Sequence, residues 1–305
     1  MKWPLISVLT GVGIGGLVGC SQQGPTGEAP PHEARAALGL SISTLNNPFF
    51  VALRDGAQAE ASAKGLSLTT VDAEDDPAKQ IAGVEDLIQR KVSVILINPA
   101  DSDAVANVVK EAVIAGVKVI SLDRAVNGAE VNAHIASDNL IGGKMAGEYL
   151  LNKMGGKGNM VELLGVPGSS AARERGQGFE SVVDAHHEVK LVARQPADFD
   201  RAKGLSVMEN ILQGNKEVQG VFAQNDEMAL GAERALEEAG LKNVAVVGFD
   251  ATPDGVAAVR AGKLAATVRQ RPEIIGKLGV DTAKQLIDGQ SADKLIAVPL
   301  DLVTD

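Results

Sequence analysis

The sequence predicts an α/β fold of two doubly wound lobes, each a parallel sheet covered by helices. Three observations predict it. From Leu38 onward, short β-branched runs alternate with helical patterns of about 12–16 residues, the mark of parallel sheets buried on both faces. Ten such runs are too many for one compact sheet and natural for two of about five. The chain also echoes itself: Val94–Asp101 resembles Val221–Asp226, and Val119–Arg124 resembles Val246–Asp250. In each case an apolar strand delivers a polar side chain at its carboxyl end, the edge where open α/β sheets bind ligands.

The elements follow in order. Leu38–Ser43 is the first strand, and the amphipathic stretch Val51–Lys64 is a helix. Leu66–Val71 leads to the helix Pro77–Arg90, where Pro77 fits a first turn because the N–H it lacks has no partner there. Val92–Ile97 precedes the helix Asp103–Ala115, which Gly116 ends. Val117–Leu122 and Val131–Ala136 are strands, followed by the helix Leu140–Lys153. The second set comprises strands Asn159–Leu164, Val189–Arg194, Val218–Ala223, Val244–Phe249 and Ala265–Arg269. Helices Ala202–Leu212, Glu227–Ala239 (ended by Gly240) and Pro272–Ile287 complete it.

A leader precedes these elements. Lys2 supplies a positive charge and Leu5–Val18 an apolar stretch, too short and too Gly-interrupted for a membrane span. It ends in Leu17-Val18-Gly19-Cys20, which reads as a bacterial lipobox with Cys20, the one cysteine of the chain, as lipid acceptor. Residues 1–19 are then a lipoprotein signal peptide and residues 20–36 a flexible Gly/Pro/Gln-rich tether. This layout places the protein in the periplasm or on the outer face of the cell membrane, held by the lipid alone. The run Gly11–Gly16 fits a dinucleotide pattern but lies in the leader, outside any βαβ unit. No cofactor is expected.

At 305 residues the chain has room for two domains. Its formal net charge of −10 argues against a nucleic-acid partner, since no basic stripe exists to neutralise phosphates. Only 3% of residues are aromatic, yet four of the six phenylalanines (Phe49, Phe50, Phe199 and Phe249) stand at loop mouths beside Asn or Asp. Flat apolar rings next to fixed amides and carboxylates suit a sugar, which has both apolar faces and hydroxyls. The polar groups at the carboxyl ends of the strands are Ser43, Asn47, Asp123, Arg124, Asn225, Asp250 and Gln270, with Arg175 in a loop or first turn after Asn159–Leu164. Carboxylate acceptors, guanidinium donors and amides that do both match hydroxyls that donate and accept.

Catalysis is the competing reading. Asp123 and Asp250 could be a glycosidase pair, but each stands near candidate arginine or amide partners, and an arginine partner is expected to keep a carboxylate ionised. No Ser–His–Asp or Cys–His arrangement is visible, so no enzyme is expected. His186-His187-Glu188 has no third ligand spaced to join it, and the acidic run Asp72–Asp76 lacks the Gly and Glu of an EF-hand loop, so no metal is expected either.

Long matches tie the chain to a known family. They include Ser43–Phe50, Leu122–Arg124, His134–Asn139, Ser170–Gly176, Gln195–Asp200, Phe222–Gly231, Val247–Asp250 and Lys263–Gln270. From Leu38 to about Val303 the sequence resembles bacterial sugar-binding proteins of ABC importers, of the type I periplasmic fold, and within them those that carry D-ribose. The resemblance implies two lobes joined by a three-strand hinge near Ser137-Asp138, Gln270-Arg271 and Val298-Pro299. The lobes would be residues 37–137 plus 271–298 and residues 138–270 plus 299–305. It implies Phe49, Phe50 and Phe199 around the sugar ring with Phe249 beside them. Ser43, Asn47, Asp123, Arg124, Arg175, Asn225, Asp250 and Gln270 would form the polar shell. It further implies a monomer that captures D-ribose by hinge closure and delivers it to ABC permease subunits. Alternatives are the same role for allose, xylose, galactose or a furanose and, more remotely, a secreted sugar-processing enzyme. Two departures from the family stand out: the lipobox, and Arg269 and Arg271 flanking Gln270.

Overall fold

The computed structural model describes residues 36–304, so the expected signal peptide, lipobox at Cys20 and tether up to residue 35 lie outside the described residues. Strand β1 (Ala37–Ile42) is followed by α1 (Pro48–Ala63), β2 (Ser67–Asp72), α2 (Pro77–Gln89), β3 (Val94–Ile97), α3 (Ala106–Ile114), β4 (Lys118–Leu122) and β5 (Ala133–Ala136). Then come α4 (Asn139–Lys153), β6 (Gly158–Leu164), α5 (Ser170–Val183), β7 (Val189–Pro196), α6 (Arg201–Gly214) and β8 (Gly220–Ala223). The remainder is α7 (Asp226–Glu238), β9 (Ala245–Asp250), α8 (Pro253–Arg260), β10 (Ala266–Arg269), α9 (Pro272–Ile287), β11 (Leu295–Ala297) and β12 (Asp301–Val303).

The strands form two sheets of the same strand order, β2-β1-β3-β4-β5-β11 and β7-β6-β8-β9-β10-β12. This is the duplication that the sequence echo announces. Each sheet has six strands rather than the expected five, because β11 and β12 are only three residues long and too short to carry a period. Pairing is parallel except between β10 and β12, which is antiparallel.

Burial on both faces explains the continuous apolar runs. In the first sheet Leu38, Leu40, Leu96 and Ile120 pack against Leu53 of α1 and Ile275 of α9. Ile95, Ile97 and Val119 face the other way, onto Leu87 of α2 and Val108 of α3. A fully buried Leu or Ile contributes roughly 1.5–3 kcal/mol, so no strand position of this kind tolerates a charge.

Two helices carry no expectation above, α5 and α8. The α5 sequence, SAARERGQGFESVV, is rich in Gly, Ser and charge and shows little propensity. Tertiary packing makes it a helix: Gly178 abuts the Leu140 carbonyl of α4 and Gly143 of α4 abuts the Arg175 carbonyl, with no room for a Cβ at either. Arg175 therefore sits in the second turn of a helix, not in a loop or first turn. Ser169 caps the helix, its Oγ accepting from the Ala172 N–H at 3.4 Å.

The chain passes between the sheets three times, at residues 137–138, 270–271 and 298–300. Arg271 pairs with Asp301, tying the second passage to the strand after the third. The carboxyl edges of the two sheets face one another across a closed seam. There Ser102 N–H donates to the Gly168 carbonyl at 2.9 Å, Ser170 N–H to Ser102 Oγ at 3.0 Å, and Ala125 N–H to Ser170 Oγ at 2.8 Å.

Candidate functional site

Between the facing edges lies a narrow cavity. From the first sheet and α1 it is lined by Asn47, Phe49, Phe50, Asp123 and Arg124. From the second sheet's side come Arg175, Phe199, Asn225, Asp250 and, at a passage between the sheets, Gln270. These ten are among the twelve residues singled out from sequence, and each is buried. Three phenylalanine rings set among amides, carboxylates and guanidinium groups fit a compact molecule with apolar faces and hydroxyls.

Local structure aims each side chain. Asn47 caps α1, accepting from Phe49 N–H at 2.9 Å, and Pro48 opens the helix. Phe49 and Phe50 thereby fall in the first turn, edge to face with ring centroids 5.2 Å apart. Asn225 caps α7 in the same way, accepting from Met228 N–H at 2.9 Å, while its Nδ2 donates to the Phe199 carbonyl at 3.1 Å. One Nδ2 hydrogen on Asn225 is left over for a ligand.

Three lining residues, Asp123 (φ 62°), Phe199 (φ 61°) and Asp250 (φ 105°), adopt left-handed backbone that non-glycine residues avoid. Each such residue costs about 1–3 kcal/mol and persists where its surroundings enforce it, as at binding sites. Phe199 can lie where it does because Gly165 is beneath its ring; a Cβ at 165 would overlap the ring atoms.

The charges balance, with two aspartates and two arginines. Arg124 donates to the Pro99 carbonyl at 2.9 Å and lies 3.9 Å from Asp123, between the rings of Phe50 (5.0 Å) and Phe199 (5.3 Å). Arg175 donates to Asn139 Oδ1 (2.9 Å) and the Gln224 carbonyl (2.7 Å), and stands 3.7 Å from Asp250. Burial pushes both carboxyls up, Asp250 well above the usual carboxylate range, while the Arg175 guanidinium pulls each back. The cost of removing these acids from water is the larger effect, and the arginine neighbour expected to favour their ionised form acts against it. Burial likewise pushes both guanidinium groups down.

Among the described residues, the buried side-chain oxygens without a hydrogen-bond partner include Asp123 Oδ1 and Gln270 Oε1. Both belong to cavity-lining residues. A buried acceptor without a donor costs about 1–3 kcal/mol, so the cavity suits a neutral molecule whose hydroxyls donate.

Two predicted residues stand behind the lining. Ser43 does not line the cavity: its Oγ donates to Asn98 Oδ1 at 2.7 Å, because the chain leaving β1 turns the side chain toward the end of β3. Asn98 Nδ2 then donates to the Leu122 carbonyl (3.1 Å) and to Asp123 Oδ2 (3.3 Å), so Ser43 acts through Asn98 on Asp123. Phe249 is also outside the lining, with the Arg175 guanidinium 3.8 Å from its ring centroid. It is a platform for Arg175 rather than a wall of the site. Sequence reasoning missed Asn98 and Ala171; Asn98 does carry the signal of a polar residue at the carboxyl end of an apolar strand. The remaining phenylalanines, Phe179 and Phe222, pack on each other in the core at 4.8 Å. Among the described residues no group of three or more His, Cys, Asp or Glu is placed to hold a metal ion.

A family model described as a periplasmic binding protein domain matches residues 38–291. The chain belongs to this family. Similar curated members include the ribose import binding protein RbsB of Escherichia coli (strain K12), 54% identical over 270 residues, 88% of this chain and 91% of that protein. The RbsB of Bacillus subtilis (strain 168) is 45% identical over 302 residues, 98% of each chain. Among solved structures, an ABC transporter periplasmic solute binding protein from Actinobacillus succinogenes 130z with bound D-allose matches with a TM-score of 0.84 at 31% identity, covering 88% of this chain and 98% of that one. As a periplasmic binding protein the chain is a binding protein and not an enzyme, and it works outside the cytoplasmic membrane.

Proposed function

We propose that this protein captures D-ribose and delivers it to the membrane subunits of an ABC importer. The observation that carries the reading is the cavity itself: it is small, charge-balanced and holds two unpartnered acceptors, with walls contributed by both sheets. The RbsB names of relatives at 45–54% identity support ribose as the sugar. The lobes are residues 37–137 plus 271–298 and residues 138–270 plus 299–305, turning about the three passages. Ribose docks on one lobe and closure brings the other over it, excluding water and strengthening every hydrogen bond inside. A ligand favours closure only by its extra affinity for the closed state. Side chains from both lobes provide that difference, and the closed monomer is the form the permease recognises.

Thermal unfolding with D-ribose, D-allose, D-xylose and D-galactose tests the sugar. A true ligand at about a thousandfold over its dissociation constant adds roughly 4 kcal/mol of stability, and ribose is expected to do so at the lowest concentration. A shift with another sugar and none with ribose would overturn the assignment in favour of that sugar. D-allose is the foremost rival, being the bound ligand in the solved structure from Actinobacillus succinogenes.

The anchor is part of the same reading. Lipid on Cys20 tethers the protein to the membrane, and the Bacillus subtilis relative aligns over 98% of this chain, a span that takes in most of the leader. Cys20→Ser is expected to move the protein from the membrane to the soluble fraction after expression. Wild-type protein found already soluble, with an unmodified Cys20 by mass spectrometry, would refute the anchor.

A further inference from the structure

Asp226, the first residue of α7, is fully buried and does not line the cavity. Its Oδ2 accepts from Thr252 N–H at 2.7 Å and Thr252 Oγ1 at 3.0 Å, and its Oδ1 accepts from Thr267 Oγ1 at 2.6 Å. Thr267 Oγ1 in turn accepts from Ala251 N–H at 3.2 Å, and Thr252 Oγ1 from Gly255 N–H at 3.1 Å. Gly248 on β9 and Gly255 on α8 leave the space this carboxylate fills, since a Cβ at either would overlap it. The segment held this way, Ala251-Thr252, directly follows Asp250, and both Asp250 (φ 105°) and Ala251 (φ 53°) are left-handed. Such a turn keeps its shape only while its surroundings enforce it.

Building on the sugar-binding reading, we propose that Asp226 is a positioning residue: its carboxylate clamps the Asp250–Ala251–Thr252 turn to β10 and so sets the aim of the Asp250 side chain into the cavity. The ionised form does this best. With Oδ1 protonated, the Thr267 hydroxyl loses its acceptor in a place water does not reach. Burial pushes the Asp226 carboxyl up to about 7, with the Thr267 and Thr252 hydrogen bonds pulling the other way. The charged groups that act on this region are Glu227 of α7, Asp250 of β9 and Arg175 of α5. At the exposed starts of α6 and α8, Arg201 pairs with Glu227 and Asp254.

The sign of the pH effect is specific. Between the ordinary carboxylate value and about 7 the folded protein keeps a proton that the unfolded chain has released, so this group's contribution to stability falls as pH rises through that window. Sugar affinity is expected to change the opposite way, rising from pH 6 to pH 8 as Asp226 ionises. A residue with a merely structural role would not separate the two.

The test measures D-ribose affinity by calorimetry, and urea stability, for wild type, Asp226→Asn and Thr267→Val at pH 6 and pH 8. Both variants are expected to bind about tenfold more weakly at pH 8, as a turn held less firmly implies. Asp226→Asn is also expected to flatten the pH dependence of affinity. Thr267→Val keeps the β-branched shape and removes only the relay, so it decides the matter if Asp226→Asn does not fold. Wild-type affinity in both variants, or in Thr267→Val alone where it is the one that folds, would overturn the proposal. Wild-type protein that takes allose and not ribose overturns the ribose reading alone, and the same comparison is then made on allose.

Discussion

Asp123→Ala is expected to weaken D-ribose binding by at least about a hundredfold, some 3 kcal/mol, with cooperative folding retained. Asp123 Oδ1 is a buried acceptor with no partner, on a residue that lines the cavity. A charge-assisted bond to a ligand hydroxyl is worth roughly 1.5–3 kcal/mol. Its loss would also leave Arg124 and Arg175 facing the site with Asp250 as the remaining carboxylate, so the charge balance that suits a neutral ligand is lost. Folding suffers less, because removing the carboxylate also removes the desolvation that pushes it up. The left-handed backbone at 123 (φ 62°) penalises alanine and tolerates asparagine. Asp123→Asn is therefore the companion variant: it too should bind weakly, with smaller effect on stability. Unchanged affinity by titration calorimetry in both variants would remove Asp123 from the site.

The second large effect is expected at a residue that touches no ligand. Gly165→Ala places a methyl group inside the ring of Phe199. The ring borders the cavity on one side and a neighbouring cleft lined by Thr44, Asn46 and Asp75 on another, and its backbone is already at φ 61°. Overpacking of this kind costs typically ~1–3 kcal/mol, and here the displaced group is a wall of the site. Ribose affinity is expected to fall roughly ten- to a hundredfold, with a smaller loss of stability in urea. A variant that binds as wild type while losing stability would show that Phe199 yields elsewhere and is not a wall of the site.

The order of elements is legible in the sequence because it is written in local patterns. Residues such as Leu38, Leu40 and Ile95 sit in short apolar runs, the last ended by Asn98-Pro99, and that is how strands buried on both faces read. The site is legible for a related reason: in such sheets ligand-facing groups stand at the carboxyl ends of strands, so Asp123 and Asp250 can be picked out before any contact is known. Helix α5 was not legible. Its Gly176 and Gly178 lower helix propensity, and only the surface of α4, where Gly143 and Leu140 meet it, turns that sequence into a tightly packed helix.

The sequence by itself determined that this chain is a duplicated α/β protein and which strand ends carry the polar and aromatic groups of its site. Tertiary structure alone decided which of those groups face the cavity and which stand behind it. Ser43 and Phe249 have the same local context as Asn47 and Phe199, yet one is turned onto Asn98 and the other lies under Arg175. Their placement depends on neighbours 55 and 74 residues away (98 − 43 and 249 − 175). Periodicity and turn chemistry report where a side chain leaves the backbone; packing against distant strands decides where it ends.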